Sequence, residues 1–341
     1  MLQFQCDYLQ GCAPEILRRL ENTNSQCFVG YGEDPVSASA IAKIRSFVGS
    51  DDADVWFVTG GTQANQLVID AMLQPYEGVV STTAGHVNVH ESGAIEFTGH
   101  KVMTLPAHDG KMCAGELKKM MQTFYADGTY EHQVFPGMVY ISHPTEYGTL
   151  YTKDELTALS QVCREYHLPL YVDGARLGYG LASRHTDVTV RDLYQLVDAF
   201  YIGGTKCGSL FGDAIVFTKN NTPRRFFTRR KQHGALLAKG WLLGIQFDEL
   251  FTDGLYMKLA ANAIDQAEYM KKEIAAKGYD FLLDSPTNQQ FVILDNEKMH
   301  QLEKDVIFSV WEPVDETHTA VRFATSWATT KDQVDQLLAL L

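Results

Sequence analysis

The sequence predicts an α/β fold, a mostly parallel seven-stranded sheet flanked by helices, followed by a smaller C-terminal α+β unit. Three observations predict it. Short apolar runs recur through the first two thirds of the chain, helical patterns separate most of them, and a long helix-rich stretch from 234 to 278 precedes two further strand candidates. Strands that alternate with helices imply parallel neighbours covered on both faces.

In order, the strand candidates are 54–59 (DVWFVT), 77–82 (EGVVST), 101–106 (KVMTLP), 137–142 (GMVYIS), 168–173 (LPLYVD), 199–204 (AFYIGG) and 214–218 (AIVFT). Helices are expected over 63–73, 90–99 and 153–167. Thr152 before KDEL predicts an N-cap, with Glu155 completing a capping box. The C-terminal unit has strands at 289–294 (QQFVIL) and 320–325 (AVRFAT) and a final helix from Thr330. A chain of 341 residues is long enough for two domains. The division expected is 1–245, a large α/β domain with an N-terminal arm, and 246–341, a small α+β domain.

Composition narrows the function. Hydrophobic residues make up 45% and charged residues 21%, as in ordinary globular proteins. No apolar run approaches the ~18 residues of a membrane helix, and no signal peptide is visible. Six cysteines without CxxC or zinc-finger spacing point to free thiols and a cytoplasmic location. A net charge of −13 argues against nucleic acid or an anionic membrane as partner, while a small anionic ligand stays open.

Ligands of open parallel sheets bind beyond the carboxyl ends of the strands, so the polar groups placed there carry the functional argument. After the first strand comes GGTQAN, where the N–H groups of Gly61, Thr62 and Gln63 open a helix and would meet an anion at its positive end. It has neither the P-loop nor the dinucleotide spacing. After the second strand, His86 lies in a loop where an imidazole can stack on an aromatic ligand or cap the loop. With His90 and Glu91 it also hints at a metal, but no second cluster supports one and none is expected. Asp173 ends the fifth strand, and Arg176, three residues on, is close enough to keep a carboxylate ionised. Lys206, with Thr205 before it, sits in a glycine-rich turn between two strands. A lysine half-buried there becomes a better nucleophile toward an aldehyde. An aspartate and a lysine at the ends of successive strands are the parts that hold and activate pyridoxal 5′-phosphate.

Taken in order, GGTQAN, AGHVNVHESGA, VDGARL and GGTKCG resemble the fold-type I pyridoxal-phosphate enzymes, and more narrowly the threonine aldolase and β-eliminating lyase family. YGEDPVS (31–37), RRKQHGALLAKG (229–240) and VRFATSWATT (321–330) extend the likeness over nearly the whole chain. The resemblance implies that Gly61, Thr62 and Gln63 hold the cofactor phosphate, with Thr205 also at the cofactor, and that His86 stacks on the pyridine ring. It implies that Asp173 bonds the ring nitrogen, that Arg176 lies near the ring oxygen and the substrate, and that Lys206 forms the imine with the cofactor aldehyde. Arg322 would grip the substrate carboxylate, and Tyr31 and Lys231 would complete the site, in part from a neighbouring subunit of a dimer of dimers. The implied reaction cleaves a β-hydroxy-α-amino acid such as threonine to glycine and an aldehyde.

The sequence departs from that pattern in the loop after the fourth strand candidate. ISHPTEYGTLY places Glu146 where the family has a histidine near the substrate hydroxyl, with His143 three residues earlier. A glutamate acts as a base if burial raises its pKa. The alternatives are β-elimination from another β-substituted amino acid, or a cofactor-binding module without lyase activity. Ala238 and Lys239 stand where the basic segment of the family carries an arginine.

Overall fold

The computed structural model describes residues 1–341. Seven strands form the central sheet: β1 (Asp54–Val58), β2 (Glu77–Thr82), β3 (Val102–Leu105), β4 (Phe135–Ser142), β5 (Leu170–Asp173), β6 (Ala199–Gly203) and β7 (Asp213–Phe217). Their spatial order is β1-β7-β6-β5-β4-β2-β3. Only β7 runs antiparallel to its neighbours, β1 and β6; the pairs within β3-β2-β4-β5-β6 are parallel. The carboxyl ends of β1, β2, β4, β5 and β6 therefore share one edge. From that edge emerge the turn at Gly61, the loop of His86, the loop of Glu146, Asp173 and the turn of Lys206.

The strands are buried on both faces, which is why they read as apolar runs without strict alternation. One large apolar cluster fills one face with Val139, Ile141, Val172, Phe200 and Ile202. A second fills the other with Tyr140, Tyr171, Tyr201 and the helix Gly61–Met72. The helix Lys153–Glu165 begins with the expected capping box of Thr152 and Glu155.

A third cluster belongs to the C-terminal sheet, ordered β9-β10-β8, formed by β8 (Gln289–Asp295), β9 (Ser309–Pro313) and β10 (His318–Ala324), all antiparallel. Residue 245 falls inside the helix Trp241–Leu250, whose Leu243, Phe247 and Leu250 pack into the large core. The chain passes from one core to the other along the helix Leu255–Ala276, where Ala260 and Ile264 face the large core and Met270 and Ile274 the small one. The N-terminal arm closes back over this junction: Leu2 and Gln3 pair with Val306 and Ile307, and Phe4 is buried in the small core.

Two expectations are corrected. The segment 90–99 is not one helix: it holds a single turn, Ala94–Phe97, separated from a preceding turn at His86–Val89 because Ser92 and Gly93 both adopt left-handed backbone, with φ of 53° and 73°. The C-terminal sheet also has a third strand, Ser309–Pro313, that the apolar pattern did not reveal. Its register shifts between Val310 and Glu312, which disrupts the period of two.

Candidate active site

Asp173 is the centre of the site. Strand register sets Tyr140 opposite Tyr171 and Ser142 opposite Asp173, and side chains two apart on a strand share a face. Four donors consequently converge on the buried carboxylate. The Tyr201 hydroxyl (2.5 Å) and the Ala175 N–H (3.0 Å) donate to Oδ1, and the Tyr140 hydroxyl (2.7 Å) and Asn65 Nδ2 (3.0 Å) donate to Oδ2. Burial alone would raise the pKa of Asp173, but the charge of His86 and the bonds from Tyr201, Tyr140 and Asn65 outweigh it and hold the group below the ordinary carboxylate range. A carboxylate favoured in its ionised form at this edge can hold a protonated ring nitrogen.

Arg176 makes no hydrogen bond or ion pair with Asp173, contrary to the expectation from its spacing. Its Nε and Nη2 instead donate to both oxygens of Asp7 at 2.7 and 3.1 Å, and Asn288 donates to Asp7 at 2.9 Å. Asp7 is fully buried, and although burial opposes its charge, Arg176, Lys206 and Asn288 bring its pKa down to about 2. The arm thus locks an arginine beside the Lys206 cavity. Asp7→Asn is expected to cost on the order of 3 kcal/mol, because it leaves a buried guanidinium without its counter-charge. The wild-type contribution is complete above 3.8, the ordinary value, and is lost as pH falls toward about 2. Urea midpoints should therefore differ most between wild type and variant near pH ~7 and converge only as pH falls to about 2; a constant gap would contradict the assignment.

Lys206 lies on the turn after β6. The Tyr179 hydroxyl donates to its backbone carbonyl at 2.5 Å, and the Thr205 hydroxyl is tied to Gly212, accepting from its N–H at 3.0 Å. The ammonium group makes no hydrogen bond within the chain and stands 5.9 Å from the ring of Tyr8. Burial, then the charge of Arg176, lowers its pKa against the opposing pull of Asp7, Asp173 and Asp213. Asp213, whose carboxylate accepts from the N–H of Gly204 at 2.9 Å, is pushed up by burial to about 6.

At the Gly61 turn the first intrahelical bond runs from Ala64 N–H to Gly60 C=O, 3.0 Å, which leaves the amides of Gly61, Thr62 and Gln63 open. A Cβ at Gly61 would meet the Tyr201 hydroxyl at 2.6 Å, so only glycine fits here. The Gln63 side chain points elsewhere: its oxygen accepts from Thr59 N–H (3.0 Å) and hydroxyl (2.8 Å). Only its backbone amide is left open to an anion.

His86 is bonded through Nδ1 to Glu91 at 2.7 Å. Burial disfavours its charge, but Glu91 and Asp173 prevail and raise its pKa. His86, Glu91 and Asp173 each offer one ligand atom within 4.8 Å of the others. Asn65 bridges the two carboxylates from the same nitrogen, so the cluster is a hydrogen-bonded array; His90, part of the expected grouping, lies outside it.

Glu146 reaches the same place from the loop after β4. Its Oε1 accepts from His86 N–H at 2.8 Å and from the Ser142 hydroxyl at 2.5 Å. Burial raises its pKa above the ordinary range, reinforced by Asp173 and opposed by the bond from Ser142 and the charge of His86. His143 is wholly buried, held neutral by burial with a pKa of about 4, and accepts from Tyr151 N–H at 3.3 Å. It lines no part of the site.

Arg322 on β10 donates to Gln289 (3.0 Å), to the Gln5 carbonyl (2.9 Å) and to Ser309 (3.1 Å), and its Nε is buried without a partner. Together with Tyr8, His86, His90, Glu146, Arg176, Lys206 and Trp311 it lines a cavity of about 320 Å³. This opens into a cleft of about 810 Å³ that shares His90, Glu146, Trp311 and Arg322. Tyr31 and Lys231 are elsewhere in the chain: they lie against each other at the surface, 5.0 Å from ammonium to ring, and do not line this cavity.

An anion cradle at a helix start, an unpartnered lysine, an ionised aspartate and an orphaned arginine nitrogen fit a phosphorylated pyridine aldehyde and an amino acid. Fold and site together define a fold-type I pyridoxal-phosphate enzyme. The chain belongs to the β-eliminating lyase family, whose model matches residues 13–297. It is 29% identical to the low specificity L-threonine aldolase of Pseudomonas sp. (strain NCIMB 10558), over 99% of this chain and 96% of that protein. The solved threonine aldolase of Leishmania major superposes with a TM-score of 0.95 at 39% identity, covering 100% of this chain and 98% of that one. The aspartate aminotransferase of Thermus thermophilus shares the fold, with a TM-score of 0.71 at 15% identity over 100% of this chain and 90% of that one.

Proposed function

We propose that this protein is a pyridoxal-phosphate-dependent carbon–carbon lyase that cleaves threonine and related β-hydroxy-α-amino acids to glycine and an aldehyde. The observation that carries the reading is the single cavity in which Lys206, His86, Arg176, Arg322 and Glu146 meet.

Lys206 would hold the cofactor, the open amides of Gly61, Thr62 and Gln63 would take its phosphate, with Thr205 shaping the lysine turn, and Asp173 would bond its ring nitrogen. When bound, the cofactor supplies an electron sink for the pair released at Cα. His86 would cover the ring of the cofactor. Arg322 and the free side of Arg176 bind the substrate carboxylate, which fixes the rotation about Cα and decides which bond is aligned for cleavage. Glu146 accepts the proton of the β-hydroxyl as the Cα–Cβ bond breaks and the aldehyde leaves; a proton returned to Cα completes glycine. Trp311, Val310, Leu282 and Val89 line the adjoining cleft and give the β-substituent an apolar wall.

Tyr31 and Lys231 reach a site only across a subunit boundary in this reading. Tyr31, Val29 and Phe227 are exposed apolar side chains near one another in sequence or contact, consistent with a homo-oligomer built as a dimer of dimers. The residues support a cytoplasmic enzyme through their free thiols, and no helix is long and apolar enough to cross a membrane.

The holoenzyme incubated separately with L-threonine, L-allo-threonine and L-serine is expected to release glycine and acetaldehyde in equal amounts from the first two. Release of 2-oxobutanoate from threonine, or of pyruvate from serine, at rates above glycine would replace aldol cleavage with β-elimination.

A further inference from the structure

Beneath His86 lies a layer of polar groups that no substrate or cofactor can touch. Glu91 has a fully buried side chain, while His86 is 35% exposed. Asn65, also fully buried, donates from one nitrogen to Glu91 at 2.6 Å and to Asp173 at 3.0 Å. Its own amide is held in one orientation because the Tyr171 hydroxyl donates to its oxygen at 2.9 Å. A buried carboxylate, a buried amide and a tyrosine thus connect the two groups that would sandwich and charge the cofactor ring.

The asymmetry of these bonds is informative. Glu91 Oε1 receives both the imidazole and the amide, whereas Oε2 is buried with no partner. The carboxylate is therefore committed to one side, toward His86. With Nδ1 engaged, Nε2 is the ring nitrogen left free, on a side chain that lines the Lys206 cavity. On Asp173, Asn65 (3.0 Å) shares Oδ2 with the Tyr140 hydroxyl (2.7 Å), while Oδ1 is taken by the Tyr201 hydroxyl and the Ala175 N–H.

We propose that Asn65 and Glu91 are positioning residues, which fix His86 with Nδ1 inward and Nε2 toward the Lys206 cavity and hold the carboxylates of Glu91 and Asp173 apart in one rigid array. The assignment rests on the reading that His86 and Asp173 face the cofactor. In it, Glu91 governs the proton affinity and tautomer of His86, as second carboxylates do for ligand and catalytic imidazoles elsewhere. Asn65 meanwhile neutralises part of the repulsion between two buried anions. An arrangement that only filled space would need neither the charge nor the shared donor.

The test is a pH titration of His86 in ¹⁵N-histidine-labelled holoenzyme, with the signal assigned by its loss in His86→Asn, alongside steady-state kinetics. Glu91→Gln keeps the size and an acceptor oxygen but removes the charge. The His86 midpoint is expected to fall by about one pH unit, a tenfold loss of proton affinity. The expected kinetic change is a ~10-fold or greater drop in kcat with KM within about threefold. Asn65→Leu removes the shared donor, leaves Glu91 Oε1 to the imidazole alone, and is expected to move the same midpoint upward. Opposite shifts in the two variants support the proposal. Shifts of the same sign, or an unmoved midpoint with kcat within about twofold of wild type, overturn it. If one variant does not fold, the sign of the shift in the other decides. A wild-type protein that takes up no cofactor would instead defeat the functional reading, which is a separate outcome visible before any variant is made.

Discussion

Lys206→Ala is expected to lower kcat by at least about 10³-fold and to remove the visible absorbance band that the cofactor gives when joined to a lysine. The expectation comes from position as much as residue type. The turn that carries Lys206 is held by Gly204 and Thr205 N–H groups on Asp213, at 2.9 and 3.4 Å, and by Tyr179 on the lysine carbonyl. None of these bonds uses the amine, so alanine leaves the turn intact and the loss is chemical. Burial and Arg176 depress the lysine pKa, which enlarges the neutral, nucleophilic fraction near neutral pH. Lys206→Arg keeps a cation and should fail equally, because a guanidinium does not form the imine. Glycine release by the alanine variant within about tenfold of wild type would remove Lys206 from the mechanism. Retention of the visible band would show that another amine carries the cofactor.

The residues that announced themselves in the sequence are those whose chemistry contradicts their surroundings. Lys206 and Asp173 stand at the ends of apolar strands, and His86 and Gly61 follow such strands directly, so local pattern was enough to find them. Tyr140, Tyr171 and Tyr201 carry as much of the Asp173 environment, yet in sequence they are ordinary strand aromatics. Only the register of β4, β5 and β6 brings their hydroxyls together. Asp7 is separated from Arg176 by 169 positions, and no local signal links them. The short Asp173–Arg176 spacing instead invited a pairing that the chain's path prevents. After Asp173 the backbone turns at Gly174, where a Cβ would lie 1.8 Å from the Tyr201 carbonyl, and Arg176 is carried round to the N-terminal arm. Asn65 offered the one missed clue: it lies one helical turn after Gly61, on the helix whose start faces the site.

Glu146→Gln is expected to lower kcat for threonine about 10²–10⁴-fold, the usual range for loss of a general base, with KM nearly unchanged. Glutamine is isosteric, and its carbonyl can still accept from His86 N–H and the Ser142 hydroxyl, so the loop should hold its place and the cofactor band should persist. The wild-type rate should show the same group in its pH dependence. Proton removal needs the carboxylate ionised, and burial raises its pKa. The rate therefore falls with decreasing pH at a higher value than an ordinary glutamate would give, and Glu146→Gln should flatten that limb. A substrate that loses a halide from Cβ, such as β-chloroalanine, has no hydroxyl proton to remove, and its turnover should survive the substitution within about tenfold. That contrast separates a base from a scaffold: damage to the cavity slows both substrates, whereas loss of the base slows only the one that carries the hydroxyl. Wild-type kcat for threonine in the glutamine variant would move the base elsewhere, with His90 a remaining candidate on the shared wall of the cavity and cleft.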